Sequence, residues 1–149
     1  MDTGRNDPLD QKFDTKPLVH WITIIEEVVT KFRPKIVFTH FAHDLNRDHQ
    51  VIHEATLVAC RPQSGVEEIY SYETFSSSST YDFSPDTYII LNESDIEYKV
   101  KTMLEKYHSE LKPPPHPRSV EGIKTLAQYR GFQINQSWAE AFKTIRRQI

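Results

Sequence analysis

The stretch from Lys35 to His53, KIVFTHFAHDLNRDHQVIH, constrains the fold of this chain more than any other. It opens with a β-branched and aromatic run at 36–38, which predicts a buried strand. A helical period of apolar residues begins again at 51, and polar side chains fill the space between. Four of the seven histidines fall in this stretch: His40, His43, His49 and His53. Open α/β sheets place their sites at the carboxyl ends of strands, so we expect the functional site here.

The composition is that of an ordinary globular protein, and it predicts one domain, residues 1–149. Hydrophobic residues make up 38% of the chain and charged residues 26%, which suffices for a core. The net charge of −3 provides no basic surface, so nucleic acid is not an expected partner. We recognise no signal peptide or membrane span, and the expected location is the cytoplasm. Cys60 lies on the apolar side of a predicted helix and is expected to be a buried, unreactive thiol.

Apolar periodicity predicts helices that alternate with short strands, which indicates an α/β fold with a mostly parallel sheet. Strands are predicted at 36–39, 66–72 and 88–91. The signals that predict the helices are Thr15 and Pro17 before a first helix, a capping box of Ser94 and Glu97, a start at Arg118-Ser119 with Gly131 as C-cap, and a final short helix at 138–145.

Only three strands are recognisable, so the chain reads as an α/β domain that lacks its first βαβ unit. Strand 36–39 is expected to be central in the sheet, with His49 near its carboxyl end. A missing neighbour would leave an unpaired apolar edge prone to association. Trp138 and Phe142 fit either a core or an interface between copies, so the sequence does not decide between a monomer and a homo-oligomer.

His49 is the strongest candidate for a metal ligand. The preceding Asp48 could orient its ring, as carboxylates around zinc ligands do. His53 lies four residues further and would share a helix face with His49, so the two could chelate together. The zinc-protease pattern H-E-x-x-H is not met, because Gln50 stands where glutamate is needed and cannot act as a general base.

The stretch from Thr39 to His49 reads T-H-x-x-x-D-L-N-R-D-H and resembles the second signature of the LmbE-like, PIG-L-type N-acetylglucosaminyl deacetylases. Similar elements extend over nearly the whole chain, and together they are more specific than any one alone. They are D-Q-K-F-D-T at 10–15, Arg61-Pro62, E-T-F-S-S-S from Glu73, Phe83-Ser84-Pro85, Lys99, Pro117-Arg118-Ser119-x-Glu121, Arg130-Gly131 and Ala139-Glu140-Ala141-Phe142.

The resemblance implies a three-layer, Rossmann-like, mostly parallel sheet with flanking helices. It also implies a zinc-dependent hydrolase that deacetylates an N-acetyl sugar of the N-acetylglucosamine type. In the family two histidines and an aspartate hold the metal, and a second aspartate is the general base. His49 matches the second histidine. The other three residues belong to an A-H-P-D-D-E motif that this sequence does not contain, so we expect an incomplete site that does not hold catalytic zinc tightly.

Two readings of the function follow. In the first the chain is an N-deacetylase, and in the second it is a non-catalytic truncated relative that serves as a binding or structural module. Many family members carry histidine where Asn46 stands, and an amide can still donate to an oxyanion. The residues with expected roles are Asp48, which would position His49; Asn46 and His40, which would contact the oxyanion or the leaving amine; and Glu73 and Arg118, which would hold sugar hydroxyls.

Overall fold

Four helices and four strands make up the part of the chain that this computed structural model describes, residues 13–78 and 82–148. The helices are α1 (Leu18–Phe32), α2 (Arg47–Ala59), α3 (Glu93–Lys106) and α4 (Val120–Phe132). The strands are β1 (Ile36–His40), β2 (Glu68–Tyr72), β3 (Thr87–Leu91) and β4 (Trp138–Arg147). None of the described helices combines the length and apolar character needed to cross a membrane.

The strands form one open sheet in the order β1-β2-β4-β3, which confirms the α/β class. The pair β1–β2 is parallel, whereas β4 is antiparallel to both β2 and β3. The three strands expected from the sequence therefore run in one direction, and β4 runs against them. Because β4 lies between β2 and β3, two of the three pairings are antiparallel, and the expectation of a mostly parallel sheet is wrong. The prediction of a helix at 138–145 is wrong, because this segment is the strand inserted between β2 and β3.

Strand β1 lies at one edge of the described sheet, so the prediction of a central position is wrong. Its alternate residues Ile36 and Phe38 are each 48% exposed. The next residue, Val37, points to the opposite face, because successive side chains of a strand alternate. There it packs against the core under α1 and α2, whose buried members are Val29, Cys60, Val66 and Ile69. The burial expected of Cys60 is confirmed, and burial raises the pKa of its thiol.

The two cap predictions for α3 and α4 are wrong in detail. Asn92 and Asp95 form the capping box of α3, since each side chain accepts a hydrogen bond from the other's backbone N–H. Helix α4 continues past Gly131 to Phe132. Gly131 is instead a point of close approach, because a Cβ there would lie 2.7 Å from the backbone nitrogen of Trp138. The absence of a side chain thus lets the start of β4 pack against the end of α4.

Candidate functional site

The turn from β1 into α2 carries the histidine cluster, and local hydrogen bonds fix its shape. Asn46 is the N-cap of α2, and its side-chain oxygen accepts a hydrogen bond from the backbone N–H of Asp48 at 2.9 Å. Two residues earlier, Asp44 Oδ1 accepts from the backbone N–H of Asn46 at 2.8 Å. These contacts are those expected of an Asx turn leading into a helix. His49 therefore lies in the first turn of α2, close to the carboxyl end of β1.

Asp44 is the buried anchor of this turn, with none of its surface exposed. Its Oδ2 lies 3.0 Å from Nδ1 of His49 and accepts a hydrogen bond from Ser78 Oγ, also at 3.0 Å. Burial alone would raise the pKa of Asp44, but the contact with His49 and the hydrogen bond from the Asn46 backbone N–H outweigh it and lower the pKa. Asp44 is thus an anionic group that joins α2 to the loop after β2.

The imidazole ring of His40 stacks on that of His49, with ring centroids 3.8 Å apart and an angle of 7° between the planes. Burial and the neighbouring His49 lower the pKa of His40 to about 4, so His40 is neutral at physiological pH. Its Nε2 lies 3.3 Å from the hydroxyl of Tyr72, at the end of β2. Its Nδ1 is buried without a hydrogen-bond partner among the described residues.

His53 and His43 occupy different positions around this pair. His53 Nδ1 lies 2.7 Å from the backbone carbonyl oxygen of His40, which ties the second turn of α2 to the end of β1. His43 is exposed and contacts Phe41 edge-to-face, with centroids 5.5 Å apart. His40, His49 and His53 are therefore brought together, whereas His43 lies on the outer surface of the turn.

The orienting contact expected of Asp48 is made by Asp44. Asp48 Oδ1 accepts a hydrogen bond from the backbone N–H of Phe13 at 2.9 Å, which fastens the segment before α1 to α2. Neighbouring residues of a helix do not face each other, so Asp48 points away from the ring of His49. The sequence contains a local pattern that indicates the role of Asp44, because Asp-x-Asn before a helix favours an Asx turn. The D-Q-K-F-D-T element is described only from Phe13 onward.

Glu73 and Arg118, expected to contact a sugar, each make an ion pair within the chain. Glu73 receives two hydrogen bonds from Arg130, from Nε at 2.6 Å and from Nη2 at 2.8 Å, and both side chains are nearly buried. Arg118 pairs at the surface with Glu110 at 2.6 Å. Arg130 was not predicted as a site residue, although it donates both hydrogen bonds of this buried pair.

The donor set can be compared with the needs of a catalytic zinc ion, which takes three protein ligands and keeps one open position. Among residues 13–78 and 82–148, no three histidine, cysteine or acidic side chains are arranged to hold a metal. The in-plane lone pairs of His40 and His49 cannot converge on one ion, since their rings are stacked almost parallel. The described residues thus do not fit a complete zinc site, although His49, held by Asp44, resembles one ligand with its supporting carboxylate.

No protein-family model matches the chain, and no curated protein matches it. Among solved structures, it is similar to the conserved protein TT1542 from Thermus thermophilus, with a TM-score of 0.67 at 18% identity over 87% of this chain and 60% of that one. It is also similar to GalB, the 4-carboxy-2-hydroxymuconate hydratase of Pseudomonas putida KT2440. That comparison gives a TM-score of 0.59 at 18% identity, over 99% of this chain and 64% of GalB.

A third similar structure is the N,N'-diacetylchitobiose deacetylase of Pyrococcus horikoshii in complex with its inhibitor MPG. The TM-score is 0.64 at 14% identity, and the match covers 91% of this chain and 55% of the deacetylase. The chain therefore spans less than two thirds of the length of each of these three proteins. At such low identities the likeness shows a shared fold, and that fold occurs in both a deacetylase and a hydratase.

Proposed function

We propose that this chain carries the His49 side of a hydrolase site that removes the acetyl group from an N-acetyl sugar. The observation that supports this most is the buried Asp44 carboxylate, 3.0 Å from Nδ1 of His49 at the carboxyl end of β1. The resemblance of Thr39 to His49 to the LmbE-like signature supports the same chemistry. The fold shared with a chitobiose deacetylase agrees with it.

In this proposal each polar group of the cluster has a defined task. The Asp44 carboxylate lies 3.0 Å from Nδ1 of His49 without the geometry of a hydrogen bond, and its negative charge favours a proton on that nitrogen. The lone pair of Nε2 is then available for the site. His40 is neutral, so its ring N–H can donate a hydrogen bond to the acyl oxygen without adding a charge. The Tyr72 hydroxyl holds its Nε2, and the unpartnered Nδ1 provides the second hydrogen-bonding position.

Zinc remains part of the proposal as a cofactor for which this chain supplies one ligand, His49. A catalytic zinc ion would polarise the amide carbonyl and lower the pKa of its water. The further ligands and the general base would have to come from residues outside the described ones or from another chain. Asn46 keeps a place as an amide donor near the site, although its oxygen caps α2.

The alternative is a non-catalytic module that keeps the fold and a binding surface. The two readings differ in what the DNA upstream of Met1 encodes, since an in-frame A-H-P-D-D-E would complete the ligand set. We expect the extended protein to bind one zinc ion and release acetate from N,N'-diacetylchitobiose, and the H49A variant to do neither. The 149-residue chain alone should retain less than one equivalent of zinc after dialysis, as measured by elemental analysis.

One outcome would contradict the proposal, and a second would identify the source of the remaining ligands. An extended protein that retains zinc but leaves N-acetyl sugars intact would exclude deacetylation, and hydration of an unsaturated acid would then favour the chemistry of the GalB neighbour. Stoichiometric zinc and hydrolysis by the 149-residue chain would show that its own residues, or a second copy, complete the ligand set.

A further inference from the structure

The loop after β2 reaches the histidine cluster through one buried hydroxyl, that of Ser78. This serine ends the E-T-F-S-S-S element, in which the sequence predicts a role for Glu73 alone. Ser78 is 2% exposed, and its Oγ donates a hydrogen bond to Oδ2 of Asp44 at 3.0 Å. The same carboxylate oxygen lies 3.0 Å from Nδ1 of His49. Ser78 therefore contacts the cluster at the oxygen that faces the candidate ligand.

The loop itself holds this hydroxyl in place. Ser78 Oγ accepts a hydrogen bond from the backbone N–H of Thr74 at 2.8 Å, and the backbone N–H of Ser78 donates to the Thr74 carbonyl oxygen, also at 2.8 Å. The backbone N–H of Leu45 donates to the carbonyl oxygen of Ser77 at 3.0 Å, which fastens the loop to the turn before α2. A hydroxyl has one hydrogen to donate, and here the Thr74 N–H occupies an acceptor position. The hydrogen of Ser78 is thus left for the carboxylate of Asp44.

The orientation of the Asp44 carboxylate depends on its hydrogen-bond donors. The last torsion of an aspartate side chain has no sharp rotamer minimum, so it does not by itself fix where the two oxygens point. The backbone N–H of Asn46 holds Oδ1 at 2.8 Å, and Ser78 holds Oδ2. These donors come from two parts of the chain, the start of α2 and the loop after β2. Without the Ser78 hydroxyl the carboxylate would keep one of these two bonds and would be free to turn away from His49.

We infer that Ser78 is a positioning residue of this site, which holds the Asp44 carboxylate towards His49 and thereby sets which ring nitrogen of His49 carries the proton. The inference rests on the proposed function and extends it, because Nε2 of a neutral histidine has a free lone pair only when the proton is on Nδ1. The action of Ser78 on the site passes through Asp44.

The test observes the His49 ring and does not require turnover. We would record ¹⁵N spectra of the 149-residue chain at about pH 8.5, where histidine side chains are neutral and the two tautomers have distinct shifts. S78A should raise the ratio of the Nε2–H to the Nδ1–H tautomer by roughly five-fold, the equivalent of one hydrogen bond. The matched control is S71A, a serine of β2 that is also 2% exposed, and it should leave the ratio unchanged. S78T keeps the hydroxyl and should keep the wild-type ratio.

A kinetic measurement separates positioning from substrate contact. In the extended protein, S78A should lower kcat by roughly five-fold and leave KM unchanged, because Ser78 acts through Asp44. A raised KM with an unchanged kcat would make Ser78 a substrate contact and overturn the inference.

The tautomer ratio supplies the remaining outcomes. An unchanged ratio in S78A, an equal change in S78A and S78T, or a larger change in S71A or S77A would each overturn the positioning role. Acetate release by the extended protein together with an unchanged ratio in S78A would overturn that role alone. The expected change in S78A, with N-acetyl sugars left intact by the extended protein, would overturn the proposed function alone.

Discussion

Asp44 and His49 are brought together across the first turn of α2, with Oδ2 of the carboxylate 3.0 Å from Nδ1 of the imidazole. The aspartate is fully buried and bound to the hydroxyl of Ser78, so the contact is held from two elements of the fold. A carboxylate in this position fixes both the orientation of a histidine ring and the nitrogen that carries its proton.

The first prediction separates Asp44 from Asp48. In the protein that includes a complete ligand set, D44N should weaken zinc affinity by roughly ten- to a hundred-fold, the usual cost of losing a supporting carboxylate. D48N is the matched control, because its carboxylate contacts the backbone of Phe13. In the 149-residue chain, ¹⁵N spectra of His49 should show the proton leaving Nδ1 in D44N only. A larger effect of D48N on either readout would return the orienting role to Asp48.

The second prediction concerns the buried pair of Glu73 and Arg130. E73Q should lower the free energy of unfolding by about 3 kcal/mol, because it leaves the Arg130 charge buried without a counter-charge. The matched control is E110Q, whose partner Arg118 lies at the surface, and it should cost less than about 1 kcal/mol. Urea unfolding of both variants measures the difference. Equal stability of the two would mean that Glu73 does not hold Arg130 and is available to contact substrate.

Local signals in the sequence account for the parts of the fold that were predicted. The apolar run of β1 and the polar cap before α2 specify a strand and a helix start within a dozen residues, so the position of His49 could be predicted. Strand β4 could not, because half of the residues at 138–145, WAEAFKTI, are good helix formers, namely Ala139, Glu140, Ala141 and Lys143. It is a strand because it inserts between β2 and β3, which is a long-range contact that overrides local preference.

The order of the strands and the buried contacts of Asp44 with Ser78 and of Glu73 with Arg130 depend on the same kind of long-range information. β1 lies at the edge because β2 is its one partner among the described strands, and β4 occupies the other side of β2. The link from Asp44 to Ser78 joins residues 34 apart, and the pair of Glu73 and Arg130 joins residues 57 apart. No local pattern reports such distances, so the sequence indicated the residue types of the site but not which of them are in contact.

A third prediction follows from Asp86, which joins β3 to β4. Burial would raise the pKa of this carboxyl, but Lys143 Nζ at 2.8 Å and the backbone N–H of Thr144 at 2.8 Å lower it to about 2, from 3.8 in the unfolded chain. Because the folded pKa is the lower one, the stabilisation is fully present above pH 4 and is lost as the pH falls through 2. D86N should therefore lower the urea midpoint at pH 6 more than at pH 2.5.

The exposed aspartate Asp14 provides the control for Asp86. D14N should shift the urea midpoint little, because its side chain is exposed. The size of the Asp86 effect should also decrease in high salt, since its side chain is 41% exposed and its pair with Lys143 is screened. A loss in D86N that does not depend on pH would assign the effect to packing.

The last prediction concerns the edge of the sheet at β1. Ile36 and Phe38 are half exposed and share one face, because alternate residues of a strand point the same way. Phe38 also stacks on Tyr70 of β2, with ring centroids 5.6 Å apart, but Tyr70 is buried, so Ile36 and Phe38 form the exposed apolar stripe. An unpaired edge with such a stripe favours association between chains. We expect the purified chain to form dimers or larger species at micromolar concentration, as measured by sedimentation velocity, and I36K to shift it towards the monomer.

The control lies at the opposite edge of the described sheet. Ile90 of β3 is 60% exposed, but its exposed neighbour Ile89 points to the other face, so β3 has no continuous apolar stripe. I90K should therefore leave the sedimentation profile unchanged, and the two substitutions add the same charge to the same kind of residue. Equal dissociation by I36K and I90K would mean that added charge alone keeps the chains apart. Dissociation by I90K alone would place the contact between chains at β3 and would contradict association through β1.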